Sequence, residues 1–457
     1  MVQKFKNKDI FIAPHSPLTL ALEGYLKDIN IKGFIDKNKK DTNIIQIEEL
    51  SNEEFDYIFI LSPNHFENIL SHYLPYVKKE KIVKVSIVDG EYRFENDFKA
   101  YKREFFYPPR EMECIRKRVV FISKGFIGAN NKALYLHCLK NKIDSIILTD
   151  NKEQIDELRQ NSLPYELLDT KEADLEIATA KFIIFDQGNY TYLPPLHPSQ
   201  KTVQLWHGVG LKKMNKLENI KYDYFISTSD WTNETNFKKI FSAKSFLNLG
   251  YPRNDIFFKD EDELDLMFCD RKIYEIVKKN FKKIILYMPT HRENQTKLNL
   301  DFQKLNQKLQ EIDAIFILKL HPFMLDYYKN SGDLEYSNLF FHNAHGDIYP
   351  ILKYVDTLIS DYSSVVYDFL LLDREVIFYN YDMDEYLKNV SLLFDYDEFS
   401  PGVKVKTQDE LEKAISKQDA KDEYGKKREE IKELFFDKIA RGGALKNIVN
   451  ILAKDSM

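Results

Sequence analysis

The sequence predicts an α/β protein assembled from successive Rossmann-like, parallel-sheet units, and three observations carry that prediction. The chain has 457 residues, roughly three times a common domain length, so one core does not account for it. Its composition, 44% hydrophobic and 30% charged with 15 Gly and 15 Pro, is that of a globular protein and excludes collagen-like or broadly disordered character. Along its length, short β-branched or aromatic runs alternate with stretches of helical period, the pattern of βαβ units.

The first unit is predicted over 1–112, with strands at 9–14, 31–36, 56–62 and 81–88 and helices at 17–28 and 64–77. Its first turn, "APHSP" (13–17), lacks the glycines of a dinucleotide fingerprint. Asp36 nevertheless ends the second strand where a ribose-binding carboxylate would sit. Nucleotide binding and a structural or docking role both stay open for this unit. The segment "REFFYPPREMECIRKR" (103–118) combines a Pro pair, aromatics and a basic cluster, which reads as a linker packed by its aromatics or as a membrane-facing patch.

A second unit is predicted over 113–250, with strands at 118–123, 143–150, 181–186, 201–210 and 222–229 and helices at 129–141, 152–160 and 230–241. Ser229 or Asp230 is the expected N-cap of the last of these. "GYPRND" (250–255) punctuates the chain, and a third unit over 251–457 follows. Its strands fall at 283–290, 314–322, 338–343, 356–361 and 375–382, and a charged tail from 407 to 455 reads as helical with a break at "RGG" (441–443).

Charge and motifs exclude several function classes. The formal charge of −6 balances 66 basic against 72 acidic side chains, so no whole-protein field gathers nucleic acid. Cys114, Cys138 and Cys269 are odd in number and far apart, which argues against a disulfide framework or a zinc cluster and fits a reducing cytoplasm. No apolar run approaches the roughly 20 residues of a spanning helix, so the sequence predicts neither a membrane span nor a signal peptide. Walker, "HExxH" and "GxSxG" patterns are absent, and no aspartate pair is placed as an Mg²⁺ clamp. A site without metal or other cofactor is expected.

Ligands of open parallel sheets bind beyond the carboxyl ends of the strands, and polar residues cluster at those positions here. "QLWHG" (204–208) sets His207 and Gly208 directly after a strand, "YMPTHR" (287–292) ends another with Thr290, His291 and Arg292, and "ILKLHP" (317–322) ends a third with Lys319 and His321. Two residues apart in a strand, Lys319 and His321 should leave the same face. In "ISDYSSVVYDFLLL" (359–372), Ser363 and Ser364 should lie at the first turn of a helix, where free N–H groups and hydroxyls favour an anion. Ordinary N-capping by Asp361 or Ser363 would use the same residue types. Arg292 suits a bidentate phosphate contact, and together these groups could neutralise a leaving pyrophosphate without a metal.

Taken in order, "WHG", "GYPRND", "ILYMPTHR", "LKLHP", "ISDYSSVVYDFLLL" and "FDYDEFSPG" (394–402) resemble the CDP-glycerol glycerophosphotransferase family, the primases and polymerases of teichoic-acid and capsule synthesis. The resemblance covers about 200–402. It implies a GT-B architecture, two Rossmann-like domains facing a cleft, here with an extra N-terminal domain. It also implies transfer of glycerol phosphate, or a related alditol phosphate, from CDP-glycerol to a hydroxyl of a polysaccharide or lipid-linked acceptor at the cytoplasmic membrane face, with release of CMP. Carried over by motif, His207 is the base, His321 a pyrophosphate ligand, and Ser363 and Ser364 further phosphate contacts; their own positions after strands or at the helix start, not the motifs, place Gly208, Thr290, Arg292, Lys319 and Asp361 at the substrate. The chain departs from the family at "RGGALKN" (441–447), where Arg441 and Asn447 replace an acidic and a basic position, and at Ser391, near which the family carries a glycine. Other donors therefore stay open: CDP-ribitol, another CDP-alditol, or a nucleotide sugar in a GT-B glycosyltransferase. A non-catalytic nucleotide-binding scaffold is the remaining alternative.

Overall fold

A computed structural model of the chain describes all residues except 1, 28, 37–42, 63–65, 74–75, 89–90, 96–114, 124–128, 169, 188–195, 218–220, 280, 291, 293–297, 322–323, 326, 329–334, 418–421 and 455–457. His291 and most of the basic, aromatic segment 103–118 thus lie outside the described residues. The chain divides into two compact units, Met1–Glu104 and Phe105–Met457.

The first unit holds β1 (Asp9–Ala13), β2 (Asn30–Ile35), β3 (Ile44–Ile45), β4 (Tyr57–Ile60), β5 (Ile82–Val88) and β6 (Glu91–Glu95). They form one sheet in the order β3-β2-β1-β4-β5-β6, parallel throughout except for the antiparallel β5/β6 pair. Residues alternate between two covered faces. Phe11, Ile58 and Ile60 pack with Leu70 and Tyr73 of one helix, and Ile10, Ile12 and Phe59 with Leu22 and Leu26 beside another. That second helix, Pro17–Tyr25, starts at a capping box made by Ser16 and Thr19. The Asp36 carboxylate accepts the His15 N–H at 3.1 Å, tying the end of β2 to the turn after β1.

The second unit contains two sheets. The first comprises β7 (Arg116–Ser123), β8 (Ser145–Thr149), β9 (Tyr165–Leu167), β10 (Ala180–Phe185), β11 (Lys201–Gln204), β12 (Lys221–Ile226) and β13 (Ser242–Leu247), in the order β13-β12-β11-β10-β7-β8-β9. The second comprises β14 (Lys283–Tyr287), β15 (Ala314–Leu318), β16 (Leu339–Phe341), β17 (Thr357–Ser360), β18 (Glu375–Tyr379) and β19 (Val403–Val405), in the order β16-β15-β14-β17-β18-β19. All pairings in both are parallel. Central strands such as β8 and β15 are buried along their whole length, as parallel sheets covered on both faces require. The result is the GT-B organisation of two Rossmann-like halves, with a further Rossmann-like unit ahead of it.

The tail is helical with the expected break at 441–443, and it divides once more, one helix ending at Ile415 and the next starting at Gly425. It forms Gln408–Ile415, Gly425–Phe435 and Ala444–Lys454, and the break at 441–443 is made by Gly442 and Gly443 at φ +113° and +81°. The last of these helices returns to the first half, where Leu445, Ile448 and Leu452 pack with Phe121, Leu134 and Tyr135.

Candidate functional site

In each half the strand order reverses beside its first strand, β7 or β14, the switch point beyond which open parallel sheets bind their ligands. The segment after β11 bridges the halves. Leu205, Trp206 (φ +53°), His207 and Gly208 (φ +136°) make a sharp turn, held by Gln204 Oε1 accepting the Trp206 N–H and by Asn130 Nδ2 donating to the Trp206 carbonyl, both at 2.8 Å. The chain then lies along the second half. The Lys213 N–H donates to the Ser391 carbonyl at 2.9 Å and the Leu393 N–H to the Leu211 carbonyl at 2.6 Å, with a bridge between Lys212 and Leu392.

His207 is half-buried, its ring 3.9 Å from that of Trp206. Its Nδ1 lies 2.8 Å from the backbone carbonyl of Asp186. A carbonyl only accepts, so Nδ1 carries the proton and Nε2 the lone pair. Burial pushes the pKa down to about 4; the Asp186 hydrogen bond opposes this and the Arg253 charge adds to it. The imidazole is therefore neutral, with its basic nitrogen defined. Beneath it the fully buried Asp186 carboxyl, which accepts the Asn131 N–H, is pushed up to about 7 by burial.

"GYPRND" fastens this turn to the second half. Arg253 Nη2 donates to Asp368 Oδ2 at 2.5 Å and to the His207 carbonyl at 2.9 Å, with its guanidinium 5.3 Å from the Tyr251 ring and 4.7 Å from that of Tyr349. Asp368 also accepts from Asn254 Nδ2 at 2.9 Å and from the Tyr349 hydroxyl at 2.7 Å. Asp255 accepts the N–H groups of Ala444 and Leu445, both at 2.9 Å, capping the returning helix. A side chain on Gly208 would place its Cβ 2.9 Å from Ser364 Oγ and 3.3 Å from Arg253 Nη2. Glycine is what lets the His207 turn touch the Ser363–Ser364 turn.

On the second half, Thr290, Arg292 and Asp361 come together, but chiefly with one another. Asp361 accepts the Thr290 N–H (2.9 Å), the Thr290 hydroxyl (2.6 Å), the Tyr362 N–H (2.6 Å) and Arg292 Nη1 (2.6 Å). Arg292 Nε and Nη2 grip Asp382 at 2.8 and 2.9 Å, and the Tyr362 and Tyr386 rings beside it stack at 3.8 Å. The expected bidentate phosphate clamp is thus engaged by two carboxylates. Lys319 also departs from expectation. β15 ends at Leu318, so strand alternation no longer governs Lys319 and His321. The Lys319 ammonium instead donates to the carbonyls of Asn343, Ala344 and Gly346 at 2.7, 2.6 and 2.9 Å, and burial lowers its pKa to about 8. All three of its donors are engaged.

His321 follows β15, half-buried, its carbonyl accepting from Met324 and Leu325 at 3.0 and 3.1 Å. Ser363 and Ser364 follow β17, beside β14 and one strand further from β15. Ser364 is the N-cap of the helix Val365–Phe369 but makes no side-chain cap bond, and Ser363 Oγ accepts, among the described residues, one long 3.5 Å contact from the Val365 N–H. Asp361 is turned toward Thr290 and Arg292 and does not cap this helix. Five residues give a weak dipole, so the turn offers N–H groups and two hydroxyls more than a helix field.

The sequence reading missed Asn130, Asp186, Arg253 and Asp368 as parts of the site. Arg253 and Asp368 sit inside runs that were singled out, yet their mutual contact spans 115 residues and leaves no local signal. Among the described residues, no group of three or more His, Cys, Asp or Glu could hold a metal ion, and no helix is long and apolar enough to cross a membrane.

The profile of the family described as CDP-Glycerol:Poly(glycerophosphate) glycerophosphotransferase matches residues 106–454. The chain is 30% identical over 264 residues to a teichoic acid poly(ribitol-phosphate) polymerase of Bacillus spizizenii, a match covering 51% of this chain and 41% of that protein. It is 31% identical over 273 residues to a teichoic acid poly(glycerol phosphate) polymerase of the same species, covering 53% and 67%. The chain thus spans well under half the length of the first of these relatives and about two thirds of the second. The wall teichoic acid polymerase TagF has a similar fold, with a TM-score of 0.61 at 22% identity over 76% of this chain and 90% of that one. With its profile match running through both halves of the crevice, the chain belongs to the CDP-glycerol:poly(glycerophosphate) glycerophosphotransferase family.

Proposed function

We propose that the chain transfers glycerol phosphate, or a related alditol phosphate, from a CDP-alditol to a hydroxyl of a cell-surface polymer or its lipid-linked precursor. The observation that carries this reading is the His207 turn, whose Nε2 lone pair is defined by the Asp186 carbonyl and whose next residue packs on Ser364. In this reading the halves 113–250 and 251–457 hold acceptor and donor respectively, and 1–112 is the additional N-terminal Rossmann-like domain. The acceptor oxygen attacks the phosphorus bearing the alditol, the bond to the bridging oxygen breaks, and CMP leaves. His207 Nε2 takes the acceptor proton. A neutral imidazole of low pKa is a weak base, but the diphosphate's negative charge favours its protonated form and raises its basicity once the donor is bound.

Ser363, Ser364, His321 and the N–H groups of the 363–365 turn contact the phosphates. Thr290, Arg292 and Asp361 act as a positioning brace behind that turn. A lipid-linked acceptor would bring the protein to the cytoplasmic membrane face. Turnover of CDP-glycerol with a short polymer acceptor tests the reading: a phosphodiester product supports it, whereas a glycoside formed only from a sugar nucleotide, or no product, refutes it. His207→Ala should abolish turnover while retaining donor binding; CMP release at wild-type rate would remove His207 as the base.

A further inference from the structure

Three basic side chains of this region are committed. Arg292 is held by Asp361 and Asp382, Lys319 by the three carbonyls of the 343–346 loop, and Arg253 by Asp368. A diphosphate is held best by cationic partners that are not already neutralised, and among the described residues Arg292, Lys319 and Arg253 leave that need unmet.

Lys212 meets it. The segment carrying it runs past the serine turn: Gly208 abuts Ser364, and a Cβ on Gly210 would still be 3.8 Å from Ser364 Cβ. Two residues on, the bridge to Leu392 fixes the Lys212 backbone against the second half, and its Nζ lies 5.5 Å from the centroid of Tyr386, the ring stacked on Tyr362 next to Asp361 and the serines. The residue is exposed, and no carboxylate among the described residues lies within ion-pair distance of it. Protein crowding around the ammonium lowers its pKa, opposed by Asp361 and assisted by Arg292, so an anion placed beside it gains a partner that water solvates incompletely.

We infer that Lys212 is the phosphate-contacting cation of the crevice, delivered from the first half onto the diphosphate of the donor. The assignment rests on the CDP-alditol reading for its substrate, but not for its test. Because Lys212 and His207 share one short segment, a phosphate held by Lys212 also fixes the distance between base and reacting phosphorus, which couples donor binding to alignment.

The experiment compares wild type, Lys212→Met, Lys212→Gln and Lys212→Arg for CDP and cytidine binding by calorimetry, for melting temperature, and for CDP-glycerol turnover. The neutral variants should melt with wild type, bind CDP more weakly by about tenfold or more, bind cytidine unchanged, and lose on the order of 10²–10³ in kcat/KM. Lys212→Arg should recover part of both losses. A purely structural role would move CDP and cytidine together, or shift the melt, and would overturn the assignment. So would CDP affinity and turnover within about threefold of wild type in the neutral variants, even if CDP-glycerol remains a good substrate. Lysine-dependent CDP binding without any CDP-glycerol turnover would refute the donor reading and leave the cation assignment intact. A wild-type protein that binds no CDP refutes both.

Discussion

Replacing Gly208 with alanine probes the contact between the halves without removing any chemical group. The added Cβ would lie 2.9 Å from Ser364 Oγ, 3.2 Å from Ser364 Cβ and 3.3 Å from Arg253 Nη2, at φ +136°. The hydroxyl can rotate away. Ser364 Cβ is fixed by its backbone, and the guanidinium is pinned by Asp368 and the His207 carbonyl, so the turn itself must retreat. Backbone strain at such a φ costs about 1–3 kcal/mol, and overpacking adds about 1–3 kcal/mol. We expect a loss near the middle of the combined range, about 4 kcal/mol, in denaturant unfolding. Displacing His207 by an ångström should also lower kcat on the order of 10²-fold. Gly210→Ala is the control. Its Cβ would meet only Ser364 Cβ at 3.8 Å and the Lys212 backbone N at 3.9 Å, ordinary contacts, so stability and rate should stay near wild type. Wild-type turnover in Gly208→Ala, or equal losses in both variants, would refute the claim that this approach assembles the site.

The His207 value of about 4 places the acidic limb of kcat/KM, which reports free enzyme, near pH 4 and away from the ordinary 6.5; the kcat limb should lie higher because bound diphosphate favours the imidazolium. A limb of kcat/KM at 6.5 would contradict the burial argument. Stability gives a second pH signature. His207 is lowered to about 4 and Asp186 raised to about 7, so between pH 4 and 6.5 the unfolded state gains one proton and loses another, and the two slopes cancel. Asp186→Asn removes one of them, and stability should then fall by about 3 kcal/mol as pH drops from 6.5 to 4, measured by denaturant titration across pH. Asp368→Asn takes the anionic partner from a buried arginine and should cost about 3–5 kcal/mol; a loss below about 1 kcal/mol would show that water reaches Arg253.

The strand cores were legible because parallel strands buried on both faces leave uninterrupted apolar runs, as in Ile10–Ala13 or Ile315–Leu318. The short edge strands β9, β13 and β19 went unread, since three to six partly exposed residues carry little periodicity. The helix Lys171–Thr179 was also unread, for most of its residues are polar. At the site, position after a strand located Gly208, Thr290, Asp361, Ser363 and Ser364 in their loops. What the sequence could not show is which donors are already engaged. Arg292 meets its carboxylates 69 and 90 residues away, and Lys319 turns to backbone carbonyls that have no side-chain signature. The same blindness hid Lys212, whose significance lies in ion pairs that its neighbours make and that it makes with no carboxylate among the described residues.

The returning helix has a consequence for biosynthesis. Asp255 caps a segment 190 residues downstream, and Phe121, Leu134 and Tyr135 find their cover in Leu445, Ile448 and Leu452. At about 5–20 residues per second, an emerging first half would wait on the order of 10–40 s on the ribosome with that apolar surface bare. Nascent chains of this protein should therefore recruit chaperones at the first half, and release should follow only once the last helix has cleared the exit tunnel and docked.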